Sequence, residues 1–304
     1  MSDNKYSTNN NSRFSNNHSL FFICCSLLFV LCYLFFASCS TTNKKPGDIE
    51  IKRIMAETML EQGIRESGLG DFDKALLLLT ESKRNSILCD DLSLIIRTCM
   101  ARGNVLHSLG RTNEAFAEWE QAVDNAVRLN DQELLSVSKI YLLRGNLITE
   151  KKTPGEVLSE VTRESANIKK NKLYIAFSWQ VIGLAHRALG AYKDAEAAFK
   201  KSLDIHAKDD YLDNAAYDWY IIASIRSLSG NTQGAVDALE SSIVYDRRIE
   251  NSWGIAASYR AMGDVYRKMG KQDEAREAYN RARTIYTAIG NEDEAAEMSK
   301  RIGS

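Results

Sequence analysis

Between residues 52 and 290, large apolar positions, small positions and polar breaks return together at helical spacing and on a fixed beat. The sharpest cycle runs Trp179, Ile182, Gly183 and His186, stops at Gly190, and resumes with Ala195 and Phe199. Tyr259, Met262, Gly263, Tyr266, Gly270, Ala275 and Tyr279 repeat it. Looser copies run Trp219, Ile222, Ala223, Gly230, Ala235, Leu239; Gly103, Gly110, Ala115, Trp119; and Gly63, Gly70, Ala75, Leu79. Three- and four-residue spacings within each half predict two amphipathic helices, and the glycine between them predicts a helix stop. Gly70, Gly110, Gly190, Gly230 and Gly270 are forty or eighty residues apart, each with alanine five residues later. A period of this size predicts stacked units that bury their apolar faces on neighbours.

These residues resemble the tetratricopeptide repeat, whose pattern places a tryptophan, a Leu-Gly pair and a tyrosine in one helix, then alanine and phenylalanine in the next. The resemblance implies an all-α fold: a right-handed superhelical solenoid of about six helix hairpins plus a C-terminal capping helix. The repeats are expected near 52–90, 91–130, 131–170, 171–210, 211–250 and 251–290 of a solenoid over 49–304, with the cap at 291–302. The forty-residue period resembles that of the Leu-Gly-Asn repeat proteins and of bacterial peptide-sensing regulators with such repeats.

Packing chemistry accounts for the pattern. Glycine inside a helix costs about 1 kcal/mol relative to alanine, so Gly63, Gly103, Gly183 and Gly263, with Ala223 in the same slot, predict close helix–helix approach. Asp71, Asn113, Asp194 and Asp273 stand near the start of the second helices, where free N–H groups favour short polar side chains. One slot departs: Glu150 replaces glycine. Arg102-Gly103-Asn104 returns as Arg144-Gly145-Asn146 after forty-two residues, and Pro154-Gly155 and Val157 follow. This predicts a third hairpin with a turn two residues longer and a shortened second half.

Ahead of the repeats, Leu20 to Ser38 carries no charge and follows a Ser/Asn-rich, weakly basic segment. Phe36-Ala37-Ser38-Cys39 resembles the lipobox of bacterial lipoproteins, which implies that residues 1–38 are a signal peptide and that Cys39 is lipidated. An apolar run of this length is also just sufficient to span a bilayer uncleaved. Several acyl chains on one cysteine anchor far better than one, and residues 39–48 read as a polar tether, of which Ser40 to Asp48 reach at most about 30 Å. The localisation expected is the bacterial cell envelope, on a membrane.

Composition narrows the function. Lys and Arg number 39 against 40 Asp and Glu, so there is no basic excess of the kind nucleic-acid binding normally needs. Two prolines suit a nearly all-helical chain. Of the six cysteines, Cys24, Cys25 and Cys32 lie in the leader; Cys89 and Cys99 fall too far apart on successive helices to bridge and read as buried thiols. No catalytic motif, cofactor fingerprint or metal-ligand spacing stands out, and the acidic pairs Asp90-Asp91 and Asp209-Asp210 sit at turns between repeats.

The resemblance makes the concave face, lined by the first helix of each hairpin, the expected site for a protein or peptide partner. Counting from the small mid-helix residue nominates Arg97, Met100, Asn104 and His107 in one repeat and Lys139 and Asn146 in the next. Phe177, Gln180, Arg187, Tyr217, Tyr220, Arg260, Asp264 and Arg267 continue the columns. Asparagine amides suit a peptide backbone, arginine and lysine suit carboxylates, and the aromatics supply area of the type enriched at binding hot spots.

Overall fold

The computed structural model describes residues 47–303, so the leader, its lipobox, Cys39 and most of the tether lie outside the described residues. Thirteen helices and no strand occur among the described residues. They pair as α1 (Asp48–Gly68) with α2 (Phe72–Leu88), α3 (Leu92–Ser108) with α4 (Thr112–Leu129), and α5 (Gln132–Ile148) with α6 (Pro154–Ser165). The pairing continues with α7 (Lys172–Ala188) and α8 (Tyr192–Lys208), α9 (Leu212–Leu228) and α10 (Thr232–Arg248), and α11 (Ser252–Lys268) and α12 (Gln272–Ala288). The last helix, α13 (Glu292–Gly303), lies on α12 and buries Ala295 and Met298 against its Tyr279 and Tyr286. No helix among the described residues is long and apolar enough to cross a membrane.

The forty-residue beat is a doubled twenty. Most helices run 17 residues and end in a left-handed residue. Glycine supplies it at 70, 110, 190, 230, 270 and 290, whereas Asp90, Asn130, Glu150, Asp210 and Glu250 adopt it without glycine, at φ between 52° and 62°. Asp and Asn tolerate this region better than most residues. Glu150 therefore keeps the helix stop that its side chain obscures in the sequence. The extra residues come after it: Thr153 caps α6 with a capping box to Glu156, Pro154 takes the first helical position, and α6 has only 12 residues. Asp71, Asp91 and Asp131 cap their helices with side-chain bonds. Asn113, Asp194 and Asp273 do not; they fall inside the first turn, after Arg111, Ala191 and Lys271, which make no side-chain cap.

Each mid-helix glycine faces a large side chain. A Cβ on Gly63 would stand 2.7 Å from Leu79, and one on Gly183 2.5 Å from Phe199. Gly103 and Gly263 meet Trp119 and Tyr279 in the same way, within each hairpin. Gly145 differs, because it presses on the same Trp119 from the following hairpin. Trp119 is thus clasped between α3 and α5, fully buried, with its indole N–H unpaired. The helix starts show why: α5 begins at Gln132, forty residues after Leu92. Arg144, not Asn146, is then the counterpart of Asn104, and Gly145 sits two residues beyond the counterpart of Gly103.

Between hairpins runs a buried hydroxyl seam. Ser82 pairs with Thr98 at 3.1 Å, and Ser258 donates to Ser242 at 3.2 Å. Ser82 and Ser242 also donate to the carbonyls of Ala56 and Ala216. Cys89 and Cys99 are free, buried thiols, and burial pushes Cys99 up to about 12.

Helix propensity alone would make any exposed mid-helix Gly→Ala stabilising by up to about 1 kcal/mol. At Gly103 and Gly145 the new methyl would enter the Trp119 ring, so each substitution should destabilise by about 1–3 kcal/mol through overpacking. Gly155→Ala, with nothing within 4 Å, should be neutral or stabilising. Urea denaturation of the three variants checks the opposed signs.

Candidate binding groove

The first helices of the hairpins line a groove of about 960 Å³, joined by Phe72 and Leu79 of α2 and by His206, Ser242 and Asp246 from later second helices. Eight nominated residues line it: Arg97, Met100 and Asn104 from α3, Phe177 and Gln180 from α7, Tyr217 and Tyr220 from α9, and Arg260 from α11. The other six do not. Lys139 pairs at 3.3 Å with the buried Glu164, and Asn146 is half-buried outside the groove. Arg187 bonds Ser224 at 3.4 Å. Asp264 accepts from Tyr279 at 2.7 Å and pairs with Arg301 and, at 3.5 Å, with Arg267. His107 lies 6.2 Å from the Trp119 ring, and burial followed by the Arg144 charge lowers its pKa. The column one turn beyond the small residue points away from the groove, and the α5 residues were displaced by counting from Gly145.

Residues that this counting passed over complete the lining. Tyr141 stacks on Phe177 with ring centroids 4.2 Å apart, and Tyr174 stands in the same wall. Burial pushes the Tyr141 phenol up to about 12 and raises Tyr174 as well. Arg144 donates to Asn104 Oδ1 at 3.1 Å. Counting forty residues from Asn104 reaches Arg144 and counting forty from Ala101 reaches Tyr141, so both were legible in the sequence.

Charge is distributed unevenly along the groove. On the third hairpin the acids are committed: Asp131 caps α5, and Glu133 accepts the backbone N–H groups of Lys169, Lys170 and Asn171 at 3.2, 3.0 and 2.9 Å. Arg97 makes no hydrogen bond or ion pair among the described residues. Arg260, by contrast, is held by Glu294 at 2.9 Å.

Beneath the aromatic wall lies a buried polar cluster. Asp218 accepts from Gln180 at 2.8 Å and meets His206 Nδ1 at 2.7 Å, with Asp218 and His206 almost wholly out of solvent. Gln180 therefore braces Asp218 as well as facing the groove. The sequence carried a signal here: Asp218 interrupts a column of small hydroxyls at Thr98, Ser138, Ser178 and Ser258. Asp246 lines the groove further along, accepting from Asn251 at 2.8 Å, and burial raises its pKa to about 6. No group of three or more His, Cys, Asp or Glu among the described residues is placed to hold a metal ion.

Two family comparisons place known repeats on this geometry. Residues 213–288 and residues 178–209 each match the tetratricopeptide repeat. No curated protein matches the chain. Among solved structures, it is similar to a Rap protein complexed with Competence and Sporulation Factor, at 15% identity and TM-score 0.57, covering 82% of this chain and 74% of that one. It is similar to Bacillus thuringiensis PlcR in complex with the peptide PapR7 and DNA, at 14% identity and TM-score 0.58, covering 73% and 83%. BtubC from P. vanneervenii matches at 13% identity and TM-score 0.53, covering 74% and 92%. At these identities the likeness is one of fold.

The Asp246 carboxyl gives a pH-dependent test. Its folded pKa, about 6, exceeds the unfolded value near 4, so the folded state holds the proton more tightly and stability falls as pH rises between the two. Asp246→Asn should raise stability by about 3 kcal/mol at pH 8 and leave it unchanged below pH 4. Denaturant titrations at the two pH values read the difference; an equal effect at both would show that burial of charge is not its cause.

Proposed function

We propose that this chain, which carries tetratricopeptide repeats, is a membrane-tethered scaffold of the bacterial cell envelope that holds a protein or peptide partner in its groove. One observation carries the binding half of this reading: successive first helices present aromatic rings and under-partnered arginines to a single groove of about 960 Å³. Stacked aromatic and guanidinium groups with incomplete internal partners are the type of side chain that carries interface energy. The tetratricopeptide fold supports such a role, since it displays side chains on a curved surface without a catalytic cleft. The tether half rests on the Leu20–Ser38 run and on Cys39.

A second reading has its own support. The Rap protein and PlcR, both similar in fold, were solved with a factor and a peptide bound. In that reading the chain is a ligand- or peptide-binding accessory or regulator of a transport or secretion complex. The two readings share the groove and differ in the partner.

A photo-crosslinking side chain at Met100 or Tyr217 should capture the partner from native envelopes, while one at Val244, exposed outside the groove, should not. Capture from Val244 alone would move the interface to the other face and sink the groove assignment. Separately, Cys39→Ala should release the chain from membranes. Retention would favour an uncleaved apolar anchor.

A further inference from the structure

The first and sixth hairpins touch. Phe72, at the start of α2, meets Trp253, at the start of α11, edge to face with ring centroids 6.3 Å apart. Gly70 supports the same contact, because a Cβ there would lie 2.6 Å from the Trp253 ring. Six glycines take a positive φ, and Gly70 alone among them has a neighbour within 4 Å of that position. Its missing side chain therefore serves both the helix stop and the seat of Trp253. The contact joins the first and sixth hairpins across the groove that both rings line. A folded partner needs roughly 800 Å² of open surface per side, whereas a volume of about 960 Å³ is at the upper end of the range for small-ligand pockets.

The charges that face the groove give a peptide held there a polarity. Arg97 and Arg144 face the groove from the second and third hairpins, with one neutral amide, Asn104, as their only hydrogen-bond partner among the described residues. Asp213 and Asp246 face it from the fifth, and their bonds are to neutral groups, the Asn214 amide for Asp213 and the Asn251 amide and Ser242 hydroxyl for Asp246. Neither arginine pairs with either aspartate among the described residues, and the carboxylates that share the third hairpin with Arg144, those of Asp131 and Glu133, are held by backbone N–H groups. The Tyr141–Phe177 stack lines the wall near the arginines.

We propose that the groove takes a short extended peptide carrying an acidic group for Arg97 and Arg144 and a basic group for Asp213 and Asp246, enclosed behind the Phe72–Trp253 contact. This rests on the groove reading above and adds the class of partner.

The test uses the full chain in detergent and a fluorescein-labelled positional-scanning library of pentapeptides, blocked at both termini so that only side-chain charge is read. Binders should carry both Asp or Glu and Lys or Arg. Arg97→Ala with Arg144→Ala should weaken them about tenfold or more and erase the acidic preference while keeping the basic one. Asp213→Asn with Asp246→Asn should do the reverse. Trp253→Ala should speed both entry and release in stopped-flow, and Trp253→Phe should restore the slower rates if the ring contact is the closure. An absence of binders, or binders without charge preference, would overturn the proposal. If groove crosslinks still capture an envelope protein in that case, the groove reading survives and only the peptide class fails; if both fail, the groove reading falls with it.

Discussion

Four of the six hairpins here depend on a mid-helix glycine in one helix meeting a large side chain from its partner. Gly63 faces Leu79, Gly103 faces Trp119, Gly183 faces Phe199 and Gly263 faces Tyr279. A glycine in mid-helix sacrifices propensity, and the close approach it permits returns more through apolar burial and dispersion. The contact fixes the distance and angle between the two helices. Because the next hairpin packs on the same surfaces, it also fixes how the units stack.

The third hairpin departs from that contact, its Gly145 meeting Trp119 of the hairpin before it, and still keeps the forty-residue stack. Its second helix is cut to 12 residues and its turn is lengthened, yet α5 and α7 begin forty residues apart, as α3 and α5 do. The loss is absorbed in the turn and in α6, so the first helices keep phase. That matters for the groove, because its wall is built from first helices. Trp119 reaches past its own hairpin to Gly145 and ties α3, α4 and α5 together, where the shortened α6 offers less surface.

Polar groups inside the solenoid divide by what they do. The hydroxyl pairs Ser82–Thr98 and Ser242–Ser258 satisfy each other and nearby carbonyls between hairpins. In the corresponding place between the fourth and fifth hairpins stand Asp218 and His206, a more demanding pair that Gln180 completes from the groove side. Asp246 carries the cost of burial in its raised pKa. A buried carboxylate with incomplete partners opposes stability, and such groups concentrate where a ligand is met.

Much of this was legible from residue spacing. The glycine beat, the alanine five residues on and the mid-helix glycines specified helix hairpins, since φ > 0 and close approach have few other solutions in sequence. Eight of the groove residues followed from helical periodicity. Counting failed where a local motif competed with the global phase: Arg144-Gly145-Asn146 looks like Arg102-Gly103-Asn104, but the stack, not the tripeptide, sets the register of α5. Glu150 hid a left-handed turn because backbone conformation there is imposed by neighbouring helices rather than by its side chain. The sequence by itself determined the helices, their order and part of the groove wall, all of which depend on short-range spacing. Tertiary structure alone decided that Gly70 and Phe72 meet Trp253, because that contact is the sum of many small rotations between hairpins and no local pattern records the sum.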